Sequence, residues 1–231
     1  MLRHIRLLVF DLDYLLFDCS HLKAQSLRQC LISFADTIPL SARLPDAADI
    51  EEGFLAHGFR WPQFLELGLD EGLLEDLRRA YTIHEERLIS SGVGQLYPGV
   101  LDFIARCKHE GIVPALGAEA SRDYLLAVSE QHGLEDVFEV SLCTEEFGVG
   151  SCDEMLAEIM HHAEVNPSEC VALGTRPSSF HAAHNLEVLT IGCGWGIRQH
   201  GGLHDADLQA LTLARLYPAV QRADELSAQY L

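Results

Sequence analysis

Asp11 and Asp13 stand two residues apart at the end of an apolar run, Arg6-Leu7-Leu8-Val9-Phe10. A β-type run that closes in D-x-D puts carboxylates at the mouth of an open α/β sheet, where such sheets build their sites. Carboxylates placed there can act as nucleophile and acid/base, or as oxygen ligands for Mg²⁺. Other groups offer less chemistry. His181 and His184 are spaced i, i+3 and could share a metal, but no third ligand accompanies them. His161-His162 fall in a predicted helix and read as surface residues.

The elements that must position the two aspartates follow from period and punctuation. Strands are predicted at about 5–10, 112–116, 137–142, 170–174 and 188–192, alternating with helices. That alternation predicts an α/β fold with a Rossmann-like, doubly wound parallel sheet. Some eighty residues between the first two strands carry helical periodicity, with candidates at 20–36, 47–57, 61–67 and 70–90. Leucines and aromatics there (Phe54, Phe59, Trp61, Phe64, Leu65) read as the core of a small helical bundle. The segment Asp205–Leu231 reads as a helix and a further turn or helix, packed on the core or at a dimer interface.

Residues 8–18, L-V-F-D-L-D-Y-L-L-F-D, resemble the first motif of the haloacid dehalogenase-like hydrolase superfamily, h-h-h-D-x-D-G-T-L-x-D. The similarity continues through Tyr97-Pro98-Gly99-Val100, Gly111-Ile112-Val113 and the stretch Asn166 to Gly174. It reaches Ala182-Ala183-His184-Asn185-Leu186 and Thr190-Ile191-Gly192 through Trp195-Gly196. The framework match runs over about residues 5–197. It points to the phosphoglycolate phosphatase and beta-phosphoglucomutase-like branch, which inserts a helical cap after the first motif. The resemblance implies a core domain of residues 1–18 and 95–231 and a cap of residues 19–94.

What the resemblance implies for catalysis is a phosphoryl transfer in which Asp11 attacks phosphorus. Asp13 would protonate the leaving group, and Asp11 and Asp13 would hold Mg²⁺. The supporting groups depart from that pattern. Gly117 stands where the family has Ser or Thr, and Gly150 where it has lysine. Gly174-Thr175-Arg176-Pro177-Ser178-Ser179 replaces G-D-x-x-x-D, with Thr175 and Ser179 at the carboxylate positions. Tyr14 and Leu15 replace Gly and Thr. Such catalysis is mostly positioning and charge stabilisation, and one missing preorganised donor typically costs about 10²–10³ in rate. Without these groups, Asp11 and Asp13 would repel a phosphate dianion and hold a metal only weakly.

Substitutes are few. The only lysines are Lys23, in the first expected cap helix, and Lys108, near the end of a peripheral helix; neither is an obvious replacement. Arg176 could point at Asp11 as an internal counter-ion in place of a metal, or lie solvated in its loop. Ser121, Ser151, Thr175, Ser178 and Ser179 offer hydroxyls, though helix-start serines are ordinary N-caps. Glu119 and Asp153 could ligate a metal only if their loops shifted. Tyr14, Gly117 and Arg176 are therefore the expected substrate-contacting positions, with Tyr14 filling part of the substrate cavity. A dehalogenase reading fails, because those enzymes lack the second aspartate and keep the lysine.

Composition bounds the rest. With 231 residues, 48% of them hydrophobic, the chain can bury a full core. A formal net charge of −19 argues against nucleic acid or an anionic membrane surface as partner. Seven cysteines without a C-x-x-C pair predict reduced, cytoplasmic thiols, with Cys19, Cys30, Cys107, Cys170 and Cys193 buried as small hydrophobes. No signal-peptide pattern or membrane span is expected. Two functions remain: a non-catalytic protein of this fold that binds a small molecule or protein partner as monomer or homodimer, needing no cofactor, or an active Mg²⁺-dependent phosphomonoester phosphatase using Asp11 with rearranged support.

Overall fold

The computed structural model describes residues 2–36, 71–148, 151–198 and 200–228. The helices expected at 47–57 and 61–67, with their aromatics, lie outside these residues, as does Gly150. The central sheet is parallel throughout, in the order β5-β4-β1-β6-β7-β8. Its strands are β1 (Leu7–Phe10), β4 (Val113–Ala118), β5 (Val140–Cys143), β6 (Cys170–Gly174), β7 (Leu189–Cys193) and β8 (Leu208–Ala210). Leu7 pairs with Val113 on one side and Cys170 on the other, so β1 is central and Asp11 leaves its C-terminal end.

A strand buried on both faces needs apolar side chains at every position, and all four residues of β1 are buried. Leu8 and Phe10 face one layer, where Phe10 packs on Phe103 and Phe138 at ring distances of 6.1 and 5.9 Å. Leu7 and Val9 face the other, with Met155 and Ile159. The helices of the described core are α3 (Val100–His109), α4 (Arg122–His132), α5 (Cys152–His162), α6 (Pro177–Asn185) and α7 (Leu213–Ser227).

The five expected strands are all present, and a sixth, β8, is not among them. It falls in the stretch read as helix and turn. Three residues are too few to show a period, and β8 is held by side chains of its flank instead. The Asp207 carboxylate accepts from the Thr190 backbone N–H at 2.9 Å and from its hydroxyl at 2.7 Å, which sets the register against β7.

Two helices stand apart from the sheet, α1 (Ser20–Ser33) and α2 (Glu71–Ser90), and they pack on each other; α2 also packs on α4. Asp18 accepts from the Ser20 N–H at 3.2 Å and helps to start α1. Their connections to the core meet in a short antiparallel ribbon, β2 (Phe17–Asp18) with β3 (Gln95–Leu96). No period marks this ribbon in the sequence, because each strand has two residues. Among the described residues, no helix is long and apolar enough to cross a membrane.

The start of β1 is tied down by a carboxylate from the far end of the chain. Asp224 in α7 accepts from the backbone N–H groups of Arg3, His4 and Ile5 at 3.0, 2.7 and 2.8 Å. Burial pushes its pKa up, but those three N–H donors prevail and hold the carboxyl below its ordinary value. Replacing Asp224 with alanine is expected to lower stability by about 2 kcal/mol, since three donors lose a charged acceptor. The depressed pKa means that this contribution is present above the ordinary carboxylate pKa and is lost as pH falls. Urea unfolding of D224A against wild type at pH 7 and pH 3 checks both statements.

Candidate active site

The turn that follows β1 carries both aspartates and is clamped from three directions. Tyr14 N–H donates to Phe17 O at 2.9 Å, and Leu16 and Phe17 N–H both donate to Leu12 O at 3.0 Å. The Trp195 indole donates to Leu15 O at 2.9 Å. Gly196 packs so closely that a Cβ there would lie 1.8 Å from Tyr14 O, so only glycine fits. Tyr14 itself has φ of +61°, the left-handed conformation for which the family uses glycine. A tyrosine here carries backbone strain, which its buried ring, 2% exposed, must offset.

Asp11 is 5% exposed and both its oxygens are engaged. Oδ1 accepts from the Leu12 N–H at 2.8 Å, and Oδ2 accepts from Arg176 Nη2 at 3.1 Å. Arg176 Nη1 lies 3.2 Å from Glu119 Oε2. Of the two options open in the sequence, the buried counter-ion is the one observed: Arg176 is 6% exposed, not solvated. Burial lifts the Asp11 carboxyl above its ordinary range, Arg176 opposes that rise, and Asp13 and Glu119 add to it. Burial works against the Arg176 charge, but Glu119, Asp11 and Asp13 more than restore it, so the guanidinium stays cationic.

Asp13 is held in a parallel way, by a residue the sequence did not mark. Lys23, in α1, puts Nζ 2.7 Å from Asp13 Oδ2 and 3.7 Å from Glu85 Oε1 of α2. The Tyr124 hydroxyl donates to Asp13 Oδ1 at 2.8 Å, and its ring centroid lies 4.7 Å from Lys23 Nζ. Lys23 and Glu85 are buried at 2% and 0% exposure. Burial pulls the lysine pKa down, yet Asp13 and Glu85 outweigh it and leave the ammonium more basic than usual. Lys23 thus stands at Asp13, a place the sequence did not indicate, and it is engaged there by two acids. The usable signal was its place in the helix: Leu22, Lys23, Ser26, Leu27, Cys30 and Leu31 form one buried stripe, and a lysine in that stripe needs an acid partner.

Each retained aspartate is therefore one end of an acid–base–acid triplet, Asp11–Arg176–Glu119 and Asp13–Lys23–Glu85. Four carboxyl groups share two cations, so each cation is already engaged by acids of the protein itself. The remaining expected positions fit the same picture. A Cβ on Gly117 would meet Ile159 Cδ1 at 3.1 Å and Met155 Cε and Val9 Cγ1 at 3.2 Å, so a side chain there would have to press these core side chains back by a few tenths of an ångström. Between Asp11, Gly117, Glu119, Cys152 and Ser179 lies a cavity of about 40 Å³. That holds roughly two or three waters, against roughly 300–1,000 Å³ for a typical small-molecule pocket. Thr175 Oγ1 and Arg176 Nε are buried without a hydrogen-bond partner. Cys152 is no thiolate nucleophile here, since burial and Glu119 push it up to about 12.

The residues present do not fit Mg²⁺. Asp11 is bonded to Arg176 and to a backbone N–H, and Asp13 to Lys23 and Tyr124. Glu119 is taken by Arg176 and accepts from Ser178 Oγ at 3.2 Å. Among the described residues, no group of three or more His, Cys, Asp or Glu side chains could hold a metal ion. His184 bonds Asp207 at 3.1 Å, and His181 lies 3.7 Å from Asp205, so the two histidines share no ligand position. Ser121 is the ordinary N-cap of α4, accepting from the Tyr124 N–H, and Ser151 donates to Gly148 O. The five cysteines expected to be buried are all buried and free.

Comparison with known proteins gives this geometry a context. A family model described as haloacid dehalogenase-like hydrolase matches residues 5–177. Among curated proteins none matches significantly. A predicted phosphoglycolate phosphatase from Haemophilus somnus superposes with a TM-score of 0.79 at 15% identity, over 95% of this chain and 99% of that one. CbbY from Rhodobacter sphaeroides, in complex with phosphate, gives 0.74 at 20% identity, over 92% and 96%. A predicted phosphatase from Clostridium acetobutylicum gives 0.79 at 16% identity, over 95% and 100%. At these identities the likeness is one of fold.

Proposed function

The chain belongs to the haloacid dehalogenase-like hydrolase family, and from that premise we propose that it is a member that no longer hydrolyses phosphomonoesters and acts by binding a small molecule or a protein partner. The observation that carries this reading is the buried Arg176–Asp11 ion pair at 3.1 Å. A nucleophilic carboxylate needs a free oxygen facing phosphorus. Here one oxygen is committed to a guanidinium and the other to a backbone N–H. An acid/base group needs to exchange a proton with the leaving group. Both Asp13 oxygens are committed, one to an ammonium and one to a phenol.

The physical argument is charge balance. In the family's phosphoryl transfer, a divalent cation and a lysine neutralise the phosphate while the carboxylates act. In this chain Arg176 and Lys23 are already engaged by acids of the protein, so a dianion would meet carboxylates with no uncommitted counter-charge beside them. Among the described residues, the cavity beside Asp11 is also small, at about 40 Å³. We place the protein as a soluble, cytoplasmic binder on the strength of its acidic, thiol-rich composition. The helical pair α1–α2 belongs, in this reading, to a cap covering residues 19–94, with core residues 1–18 and 95–231.

The test is turnover. Across a panel of phosphomonoesters with Mg²⁺, Mn²⁺ or Co²⁺, the protein is expected to release no phosphate above the background of D11N prepared identically. The matched control matters because a trace of contaminating phosphatase imitates a weak enzyme. Saturable hydrolysis that D11N abolishes would overturn the reading in favour of a working hydrolase.

A further inference from the structure

We propose that Lys23 is a built-in latch, an internal cation that binds Asp13 in the place of an external ligand and holds the α1–α2 helical pair closed on the core. This goes beyond the loss of hydrolysis, because it concerns what keeps the two parts together, and it would hold even if the centre turned over.

The geometry of three elements carries the inference. Lys23 belongs to α1, Glu85 to α2, and Asp13 to the turn after β1, so one ammonium carried by α1 meets α2 once and the core once. The 2.7 Å contact to Asp13 is the shorter, and it crosses between the helical pair and the sheet. Tyr124 of α4 supports the junction from below, donating to Asp13 and offering its ring face to the ammonium. Around it, Tyr14, Cys19 and Tyr81 are each buried at 2% or less. The junction is therefore filled by side chains that would otherwise carry unpaired buried charges.

A latch of this kind makes separation expensive in one specific way. Opening must break the Lys23–Asp13 contact and rehydrate both charges. Removing the lysine alone leaves Asp13 buried with only Tyr124, and a buried charge that has lost its partner favours the open state, where water solvates it. Glu85 is the weaker arm, at 3.7 Å and with Tyr81 and Asp13 also beside it. Neutralising Glu85 should leave the latch in place, since Asp13 and Lys23 still pair.

The chain carries its own reporters. Cys19 sits at the junction with 0% exposure, whereas Cys170, also at 0%, lies in β6 of the sheet. Maleimide labelling with peptide mapping reads local opening at Cys19 and global unfolding at Cys170. In K23M, Cys19 is expected to label at least about tenfold faster than in wild type while Cys170 keeps its wild-type rate. D13N should accelerate Cys19 in the same direction, and E85Q should leave it at or below the wild-type rate. The D13N and E85Q proteins keep the test decisive if K23M does not fold. Equal acceleration of Cys19 and Cys170 would show that Lys23 supports the whole fold and latches nothing. Unchanged Cys19 labelling in folded K23M or D13N would show that closure does not depend on the contact. A panel of phosphomonoesters run on the same proteins separates this result from the catalytic question.

Discussion

Arg176→Met is expected to lower the unfolding free energy by about 3–5 kcal/mol at neutral pH. The guanidinium is 6% exposed and is shared between Asp11 Oδ2 at 3.1 Å and Glu119 Oε2 at 3.2 Å. Methionine restores much of the volume and none of the charge. Asp11 is then left buried beside Asp13 and Glu119, both of which push its carboxyl further up. It must either stay ionised without a partner or take up a proton, and each outcome costs stability. Because a proton relieves the strain, the loss in R176M should shrink as pH falls. The double variant D11N/R176M removes the stranded charge and should recover part of the loss, giving a coupling energy from urea unfolding of the four proteins. A loss below about 1 kcal/mol would mean that the pair is hydrated, as surface pairs are.

Glu85→Gln is expected to do the opposite at high pH. Burial pushes the Glu85 carboxyl from 4.5 up to about 7; Lys23 and the Tyr81 hydrogen bond lower it, and Asp13 raises it again. The sign follows from proton binding. A folded-state pKa above the unfolded one means the folded protein holds a proton that the unfolded chain has released. The stabilisation is full below about pH 4.5 and is lost as pH rises through about 7, a total of roughly 3 kcal/mol. Glutamine is neutral throughout and escapes that loss. Relative to wild type, E85Q should therefore gain roughly 2–3 kcal/mol between pH 5 and pH 8. The comparison is made against wild type because Asp11 shifts in the same sense, while Asp207 and Asp224, whose pKa values are depressed, act in the other. If E85Q is less stable than wild type by the same amount at both pH values, Glu85 is an ionised, net favourable partner of Lys23.

The parts of this molecule that could be read from its sequence are those with local causes. Each of five strands of the six-stranded sheet is an apolar run bounded by turn residues, so β1, β4, β5, β6 and β7 were placed to within about three residues. Asp11 and Asp13 were found because their position after β1 is itself a signal. What could not be read depends on contacts far apart in the chain. Lys23 reaches Asp13 because α1 folds back over the turn; its place in the apolar stripe of α1 marks it as buried but does not say which acid it meets. Gly117 could be recognised as lacking a hydroxyl. Its physical reason, the wedge formed by Ile159 and Met155 of α5, comes from residues about forty positions away. The short strands β2, β3 and β8 carry no period at all. Arg176 was open between a solvated and a buried state, and only its burial against Asp11 decided the matter.

The chemistry reads as an exchange of one kind of counter-charge for another. A metal-dependent site leaves its carboxylates free until the cation and the substrate arrive. In this chain the positions that would carry the metal's further ligands, Thr175 and Ser179, are uncharged, and the residue between them supplies a permanent cation of its own. Restoring the ligands alone should not be enough, since Arg176 would still occupy Asp11. A rebuilt centre needs Arg176 removed as well as Thr175→Asp and Ser179→Asp.

Calorimetric titration of the wild-type protein with Mg²⁺ tests the central claim most directly, because it asks whether Asp11 is available to a metal. With Oδ2 held by Arg176 and Oδ1 by the Leu12 N–H, no saturable heat is expected until Mg²⁺ reaches the millimolar range, and the same weak response is expected from D11N. Micromolar binding in the wild type that disappears in D11N would show that the ion pair yields to the metal, and would contradict the account.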